Sequence, residues 1–322
     1  MEFNKPNIFI SKCIEFDYCR YDGSMINSDF VKSLKPYVNY VYSCPEMDIG
    51  LPSPREALRI VEEDGEEKIV SSKSGKNVTK EMVLYSYKKA EKLKNENLDG
   101  FILKGRSPSC GVKDVKMYKS YGKASIIPKK TSGVFGGIID DKFNMLPIED
   151  EGRLTNFTIR EHFYTRIFTT SRFKSIKDKM KMSAIVNFHS DNKYLFMAYN
   201  QGRLKTLGKI VANHDKKKVK EVYEEYEKEL LELLKTPSSK KRKRNTVLHI
   251  FGYFSKELSS SEKSHFLKLI DQYMDDRIPF SNLTSVLEMW SLRFDTEYLM
   301  NQTIFNPFPK ELITVTDSGK GL

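Results

Sequence analysis

In the first 150 residues the apolar positions fall in short runs, each closed by a turn or a cysteine. Asn7-Ile8-Phe9-Ile10-Ser11-Lys12-Cys13 reads as a strand that ends on a cysteine. Val38-Asn39-Tyr40-Val41-Tyr42-Ser43-Cys44 alternates and is rich in β-formers, so it reads as a second such strand, broken by Pro45-Glu46. A third apolar run, Gly100-Phe101-Ile102-Leu103, feeds the tight polar loop Lys104-Gly105-Arg106-Ser107-Pro108-Ser109-Cys110-Gly111. Between these runs, residues 58–61 and 68–70 pattern as a hairpin around Asp64-Gly65. Residues 80–96 carry Met82, Tyr85, Ala90 and Leu93 near helical spacing behind a Thr79 cap, and Ser28 caps a short helix that runs to Leu34. The glycines of residues 129–137 suggest a loop that lets backbone amides approach an anion, although no P-loop or dinucleotide fingerprint is met. Residues 146–149 form a last short strand.

Beyond residue 154 the period changes from two to that of a helix. Thr158 caps a helix rich in aromatic and basic residues, and helices are expected over 174–186, 194–207, 217–234, 260–275 and 283–299. Ser259 and Glu262 stand at capping-box spacing. Pro237-Ser238-Ser239 opens a loop that continues into Lys240-Lys241-Arg242-Lys243-Arg244, and residues 316–322 read as a frayed tail. The fold expected is an α/β N-terminal domain over residues 1–154, with an open, mostly parallel, Rossmann-like sheet. A mainly α-helical C-terminal domain follows over 155–322.

Charge adds a partner class. The net charge of +11 is uneven: residues 1–150 hold 24 Lys+Arg against 22 Asp+Glu, and the remainder 30 against 21. The second half therefore has the electrostatic footprint of a chain that meets phosphates. The run Lys240 to Arg244 suits a phosphate backbone, a solvated loop being its bland reading. No apolar run reaches the roughly 18 residues of a membrane span, and residues 1–10 lack the apolar core of a signal peptide. A cytoplasmic protein with no membrane partner is the expectation.

All four cysteines, Cys13, Cys19, Cys44 and Cys110, lie in the first 110 residues. If the strands that lead to Cys13, Cys44 and Cys110 are parallel, their C-terminal ends share one sheet edge, and the three cysteines converge. Ordinary burial of small apolar side chains is the alternative. Three thiolates at one edge suit zinc or an iron–sulfur cluster, and a cluster held by three cysteines keeps one iron free for a sulfur-bearing substrate.

The first domain resembles the 2-thiouracil desulfurase family. Ser11-Lys12-Cys13, Cys19-Arg20-Tyr21-Asp22-Gly23, Cys44-Pro45-Glu46, Gly50-Leu51-Pro52-Ser53-Pro54-Arg55 and Lys104 to Gly111 carry the likeness. The second resembles the YbgA-like domain through residues 245–254, Ile278-Pro279-Phe280, Tyr298-Leu299 with Gln302, and Asn306-Pro307-Phe308-Pro309. That pairing is similar to desulfidases of thiolated tRNA. On this resemblance the run Lys240 to Arg244, with Arg160, Arg166 and Arg172, supplies the candidate RNA contacts. The resemblance implies a 4Fe–4S cluster on Cys13, Cys44 and Cys110, with Cys19 as an alternative ligand or a neighbour. It implies removal of sulfur from 2-thiouridine or 4-thiouridine, with Glu46 as general acid/base and Ser107 as the hydroxyl. Competing expectations are a desulfidase of free thiouracil or thiouridine nucleotides, with the helical domain as an interaction module, and a non-enzymatic RNA-binding protein with a structural metal.

Overall fold

The structure, a computed structural model, describes residues 3–314; the expected tail at 316–322 lies outside them. In chain order the first elements are β1 (Asn7–Ser11), α1 (Asp29–Leu34), β2 (Asn39–Ser43), α2 (Pro45–Asp48), β3 (Leu58–Glu63), β4 (Glu66–Ser71) and α3 (Thr79–Leu93). Next come β5 (Gly100–Leu103), β6 (Val115–Tyr118), β7 (Ile126–Thr131), α4 (Val134–Lys142) and β8 (Ile148–Asp150). The helical part holds α5 (Phe157–Lys177), α6 (Met182–Asp191), α7 (Lys193–Tyr199), α8 (Gln201–Ala212) and α9 (Val219–Lys235). It ends with α10 (Lys240–Phe251), α11 (Ser260–Met274), α12 (Phe280–Arg293) and α13 (Glu297–Met300).

The first sheet has the order β2-β1-β5-β8 and is parallel throughout. The apolar runs that predicted its central strands are buried along their length: Ile8, Phe9, Ile10, Phe101, Ile102 and Leu103 have no exposed surface. Strands buried on both faces carry continuous apolar residues, not alternation. Ala90 and Leu93 of α3 and Phe135 and Ile139 of α4 close one core against them.

A second sheet, β4-β3-β6-β7, is mixed. Its β3–β4 hairpin turns at Asp64 (φ 54°) and Gly65 (φ 80°), the two left-handed residues that a two-residue hairpin loop needs. Strand β7 and helix α4 occupy the stretch expected to approach an anion, and the glycines there have another use. A Cβ on Gly136 would stand 2.4 Å from the carbonyl oxygens of Cys110 and Gly111, and one on Gly133 2.6 Å from that of Ser107. The glycines let the start of α4 pack backbone to backbone on the Cys110 loop. The amides of Gly133, Val134 and Gly136 donate to the carbonyls of Gly111, Pro108 and Ser109, so they are already taken.

The described chain divides into two compact units, residues 3–171 with 311–314, and residues 172–310. The division falls within α5, later than the residue 154/155 change of pattern. The second unit is a helical bundle around Phe173, Phe196, Tyr223, Tyr226, Leu230 and Leu287. Ser259 and Glu262 form the expected capping box at the start of α11. The basic run Lys240–Arg244 is not in a loop: it is the first turn of α10, capped by the Ser239 hydroxyl, which accepts the Arg242 N–H at 3.4 Å. No helix among the described residues is long and apolar enough to cross a membrane.

Candidate functional site

Because β1, β2 and β5 are parallel, the residues that follow them emerge at one edge. Cys13 lies two residues past β1, Cys44 directly past β2, and Cys110 in the loop after β5. The three line one cavity of about 280 Å³, and Cys19 lines it too. Glu46, Arg55, Lys104, Arg106 and Ser107 are also on its wall. All four cysteines are free and buried.

The loop that carries Cys110 is fixed at several points. Ser11 Oγ accepts the Lys104 N–H at 2.9 Å, which ties the end of β5 to the end of β1. Glu151 takes the Gly105 N–H at 2.7 Å on one oxygen and Lys104 Nζ at 2.5 Å on the other. Arg106 adopts a left-handed φ of 59°. Ser107 Oγ accepts the amides of Ser109 and Cys110, each at 3.2 Å, which is the arrangement of a hydroxyl-closed turn. The proton of that hydroxyl has no acceptor among the described residues, so it is left to donate.

Glu46 stands at the N-terminal turn of α2, two residues past Cys44, and is clamped on both oxygens. Arg55 meets Oε2 through Nε at 2.8 Å and Nη2 at 2.6 Å. Oε1 accepts the hydroxyl of Ser109 at 2.6 Å. Every one of these contacts donates to the carboxylate. Ser109 has no exposed surface. The family resemblance implied Ser107 as the hydroxyl; the hydroxyl bonded to Glu46 is that of Ser109, 63 residues away in sequence. Arg55 also donates to the Cys19 carbonyl at 3.0 Å, so it joins the Cys19 loop to the carboxylate.

The thiols of Cys19, Cys44 and Cys110 disfavour ionisation as they stand. Hydrogen bonding to Cys13 is the main cause that pushes the Cys19 thiol up to about 11, with burial adding to it. Cys44 is raised by its contact with Cys19 and then by burial, and Cys110 by burial, opposed by Ser11. A cationic metal centre reverses this balance, because a bound cation makes the thiolate the favoured form. Among the described residues no group of three or more His, Cys, Asp and Glu side chains is placed to hold a metal ion. Donors for one ion must converge on a point, whereas a cluster takes each thiolate on a different iron. An all-thiol donor set fits an iron–sulfur cluster on those grounds.

The arginines proposed to touch RNA are differently placed. Arg160 and Arg166 are buried. Arg160 donates to the carbonyls of Leu154, Thr155 and Thr314, and Arg166 to that of Met145. These guanidinium groups tie backbone together and are not presented to a phosphate. Arg172 keeps some exposed surface, but its Nε is buried, and burial pulls its pKa down to about 10. In the basic run, Lys240 pairs with Asp276, Arg242 donates to the Tyr199 carbonyl, and Lys243 lies over the Phe280 ring at 4.8 Å. Lys241 and Arg244 are exposed.

Comparison with known proteins follows the same division. Residues 8–151 match the family model 2-thiouracil desulfurase, and residues 193–309 match that of a protein of unknown function, DUF1722. The chain is 36% identical over 110 residues to the uncharacterized protein YbbK of Bacillus subtilis, a span that is 32% of this chain and 72% of that one. It is 26% identical over 156 residues to the uncharacterized protein YbgA of Escherichia coli, 48% of this chain and 92% of that one. Among solved structures, a [4Fe-4S]-dependent thiouracil desulfidase, TudS, is similar at 26% identity and a TM-score of 0.38, over 47% of this chain and 93% of that one. The chain thus belongs to the 2-thiouracil desulfurase family, whose enzymes cleave carbon–sulfur bonds, and carries a DUF1722 region behind that domain.

Proposed function

We propose that this chain is a desulfidase that removes sulfur from a thiolated uracil base carried in tRNA, using a 4Fe–4S cluster held by Cys13, Cys44 and Cys110, with Cys19 beside it. The observation that carries the reading is the meeting of four buried free thiols with a clamped carboxylate in one cavity. Bound there, the cluster supplies a thiophilic Lewis acid for the thiocarbonyl sulfur.

The chain's own residues do the rest. Glu46, held by Arg55 and Ser109, takes the proton of a water that attacks the ring carbon, a role supported by its position on the cavity wall. Ser107, whose acceptor sites are engaged by two amides, offers its proton to a developing negative charge on the base. The Ser109 hydroxyl fixes the Glu46 oxygen that Arg55 does not hold. The cavity, about 280 Å³ before a cluster is placed in it, is small for a ligand site and far too small for folded RNA. A base in folded RNA therefore leaves its stack to enter.

The test is nucleoside analysis of thiolated tRNA incubated with anaerobically reconstituted protein, alongside Cys110→Ala and a free 2-thiouracil control. The expected result is loss of thiouridine with the native chain only, and iron content reduced in the variant. Conversion of free 2-thiouracil with thiouridine intact in tRNA would overturn the RNA part. A colourless protein that takes up zinc and no iron would overturn the cluster.

A further inference from the structure

A concentration of positive charge also stands outside the helical unit. Between Lys104 and Lys130 stand eight lysines and arginines against one acid, Asp114, a local net of +7. The rest of residues 1–150 is therefore net acidic. The basic segment begins at the cavity wall, with Lys104 and Arg106, and runs out along the β6–β7 hairpin. Val115 and Met117 of β6 turn inward to a small core with Ile60. The alternate positions put Lys116 and Tyr118 on the other face. Lys113, Lys116, Lys119, Lys123, Lys129 and Lys130 are all exposed.

Two details show that this charge is not arranged for stability. Lys116 and Lys130 are direct cross-strand partners, and like charges so placed repel. Lys130 pairs with Asp114 and Lys129 with Glu67, but Lys113, Lys116, Lys119 and Lys123 have no carboxylate partner among the described residues. The hairpin is also aimed. Strands β3 and β6 are parallel; Leu58, at the start of β3, lines the cavity, and Val115, at the start of β6, packs on Gly111 of the Cys110 loop. The end of the hairpin that carries Lys113, Lys116 and Lys130 is thus the end beside the site. Rings lie among the cations: Tyr118 is stacked by Arg59 at 4.4 Å, and Tyr121 is about half exposed.

We infer that the β6–β7 hairpin is the track on which a single-stranded stretch of RNA lies as its thiolated base enters the cavity. Lys113, Lys116 and Lys119 meet phosphates, and Tyr121 meets a neighbouring base. The inference rests on the reading that the substrate base is carried by RNA. Alternating cations and rings are what a sequence-tolerant single-strand surface requires. A lipid surface would want an apolar face, and here the apolar side of β6 is turned into the core.

Fluorescence anisotropy of the full chain with a short single-stranded RNA that lacks thiolated bases tests this, across a salt series. The triple variant Lys113→Gln/Lys116→Gln/Lys119→Gln should bind roughly tenfold or more weakly at low salt and lower the log–log salt slope by about 2. Tyr121→Ala should weaken binding roughly fivefold or more with the slope unchanged. Lys241→Gln/Arg244→Gln on α10 should change neither. The triple variant should still turn over free 2-thiouracil at the native rate. An unchanged slope in the triple variant, transfer of the loss to the α10 pair, or equal competition by polyglutamate would each overturn the inference. So would a parallel loss of 2-thiouracil turnover. Because the RNA carries no sulfur, the binding result stands even if the chain desulfurates nothing.

Discussion

Replacing Arg55 by methionine is the sharpest perturbation of the site. The Arg55 and Glu46 side chains are 6% and 12% exposed, so solvent screens their attraction little. Methionine keeps most of the volume and removes both donors to Oε2, leaving Glu46 with the single bond from Ser109. Breaking a buried pair from one side costs about 3–5 kcal/mol, because the surviving charge keeps its desolvation penalty without its partner. The Cys19 and Pro52 carbonyls lose their donor as well, but the Pro52 bond is exposed, so water replaces much of that. Urea unfolding followed by far-UV circular dichroism reads the loss. The double variant Glu46→Gln/Arg55→Met removes both charges and should recover at least half of it. A loss below about 1 kcal/mol for Arg55→Met, or strict additivity in the cycle, would show that the pair is not the clamp described.

Ser109→Ala removes a charge-assisted bond to Glu46 and should cost about 1.5–3 kcal/mol in urea unfolding, with kcat falling more than KM rises. Gly136→Ala forces a Cβ against the Cys110 and Gly111 carbonyls, so the loop must move; about 1–3 kcal/mol of stability should go, and iron per chain after reconstitution should drop. His189, bonded to the Tyr226 hydroxyl at 3.1 Å, has its pKa lowered by burial and then by Lys193. Its neutral form is favoured in the fold, so the stability it contributes is full above the unfolded value of 6.5 and is lost as pH falls through the lower folded value. Trp290, the chain's single tryptophan, lies in the same unit and reports that decline by fluorescence; His189→Gln should flatten it.

What could be read from the sequence was what local rules govern. Asp64-Gly65 announces its hairpin because only certain residues accept two left-handed conformations in a row, and Ser259 with Glu262 announces a helix start because both partners lie within one turn. The convergence of Cys13, Cys44 and Cys110 needed one further step, a parallel sheet, which the apolar runs implied. The Ser109–Glu46 bond had no such signal. It joins residues on separate strand–loop units, and Ser107 and Ser109 look alike until the turn places one hydroxyl on the backbone and the other on the carboxylate. Gly133 and Gly136 misled for a related reason. A glycine permits close approach, but whether to an anion or to another stretch of backbone depends on what the fold sets opposite it.

Charge was the least transparent signal, since a count of cations does not say which of them water can reach. The helical half holds most of the net charge, yet Arg160 and Arg166 spend theirs on backbone carbonyls, and Lys240, Arg242 and Lys243 each have a partner within the fold. The first 150 residues look nearly neutral in total because acidic residues elsewhere mask the hairpin's excess. A screened potential decays over about 10 Å at ordinary salt, so a distant acid does not cancel a lysine on β6. What an incoming polyanion feels is the local field, and in residues 1–150 the largest local excess of cations is on the segment that leaves the cysteine cavity.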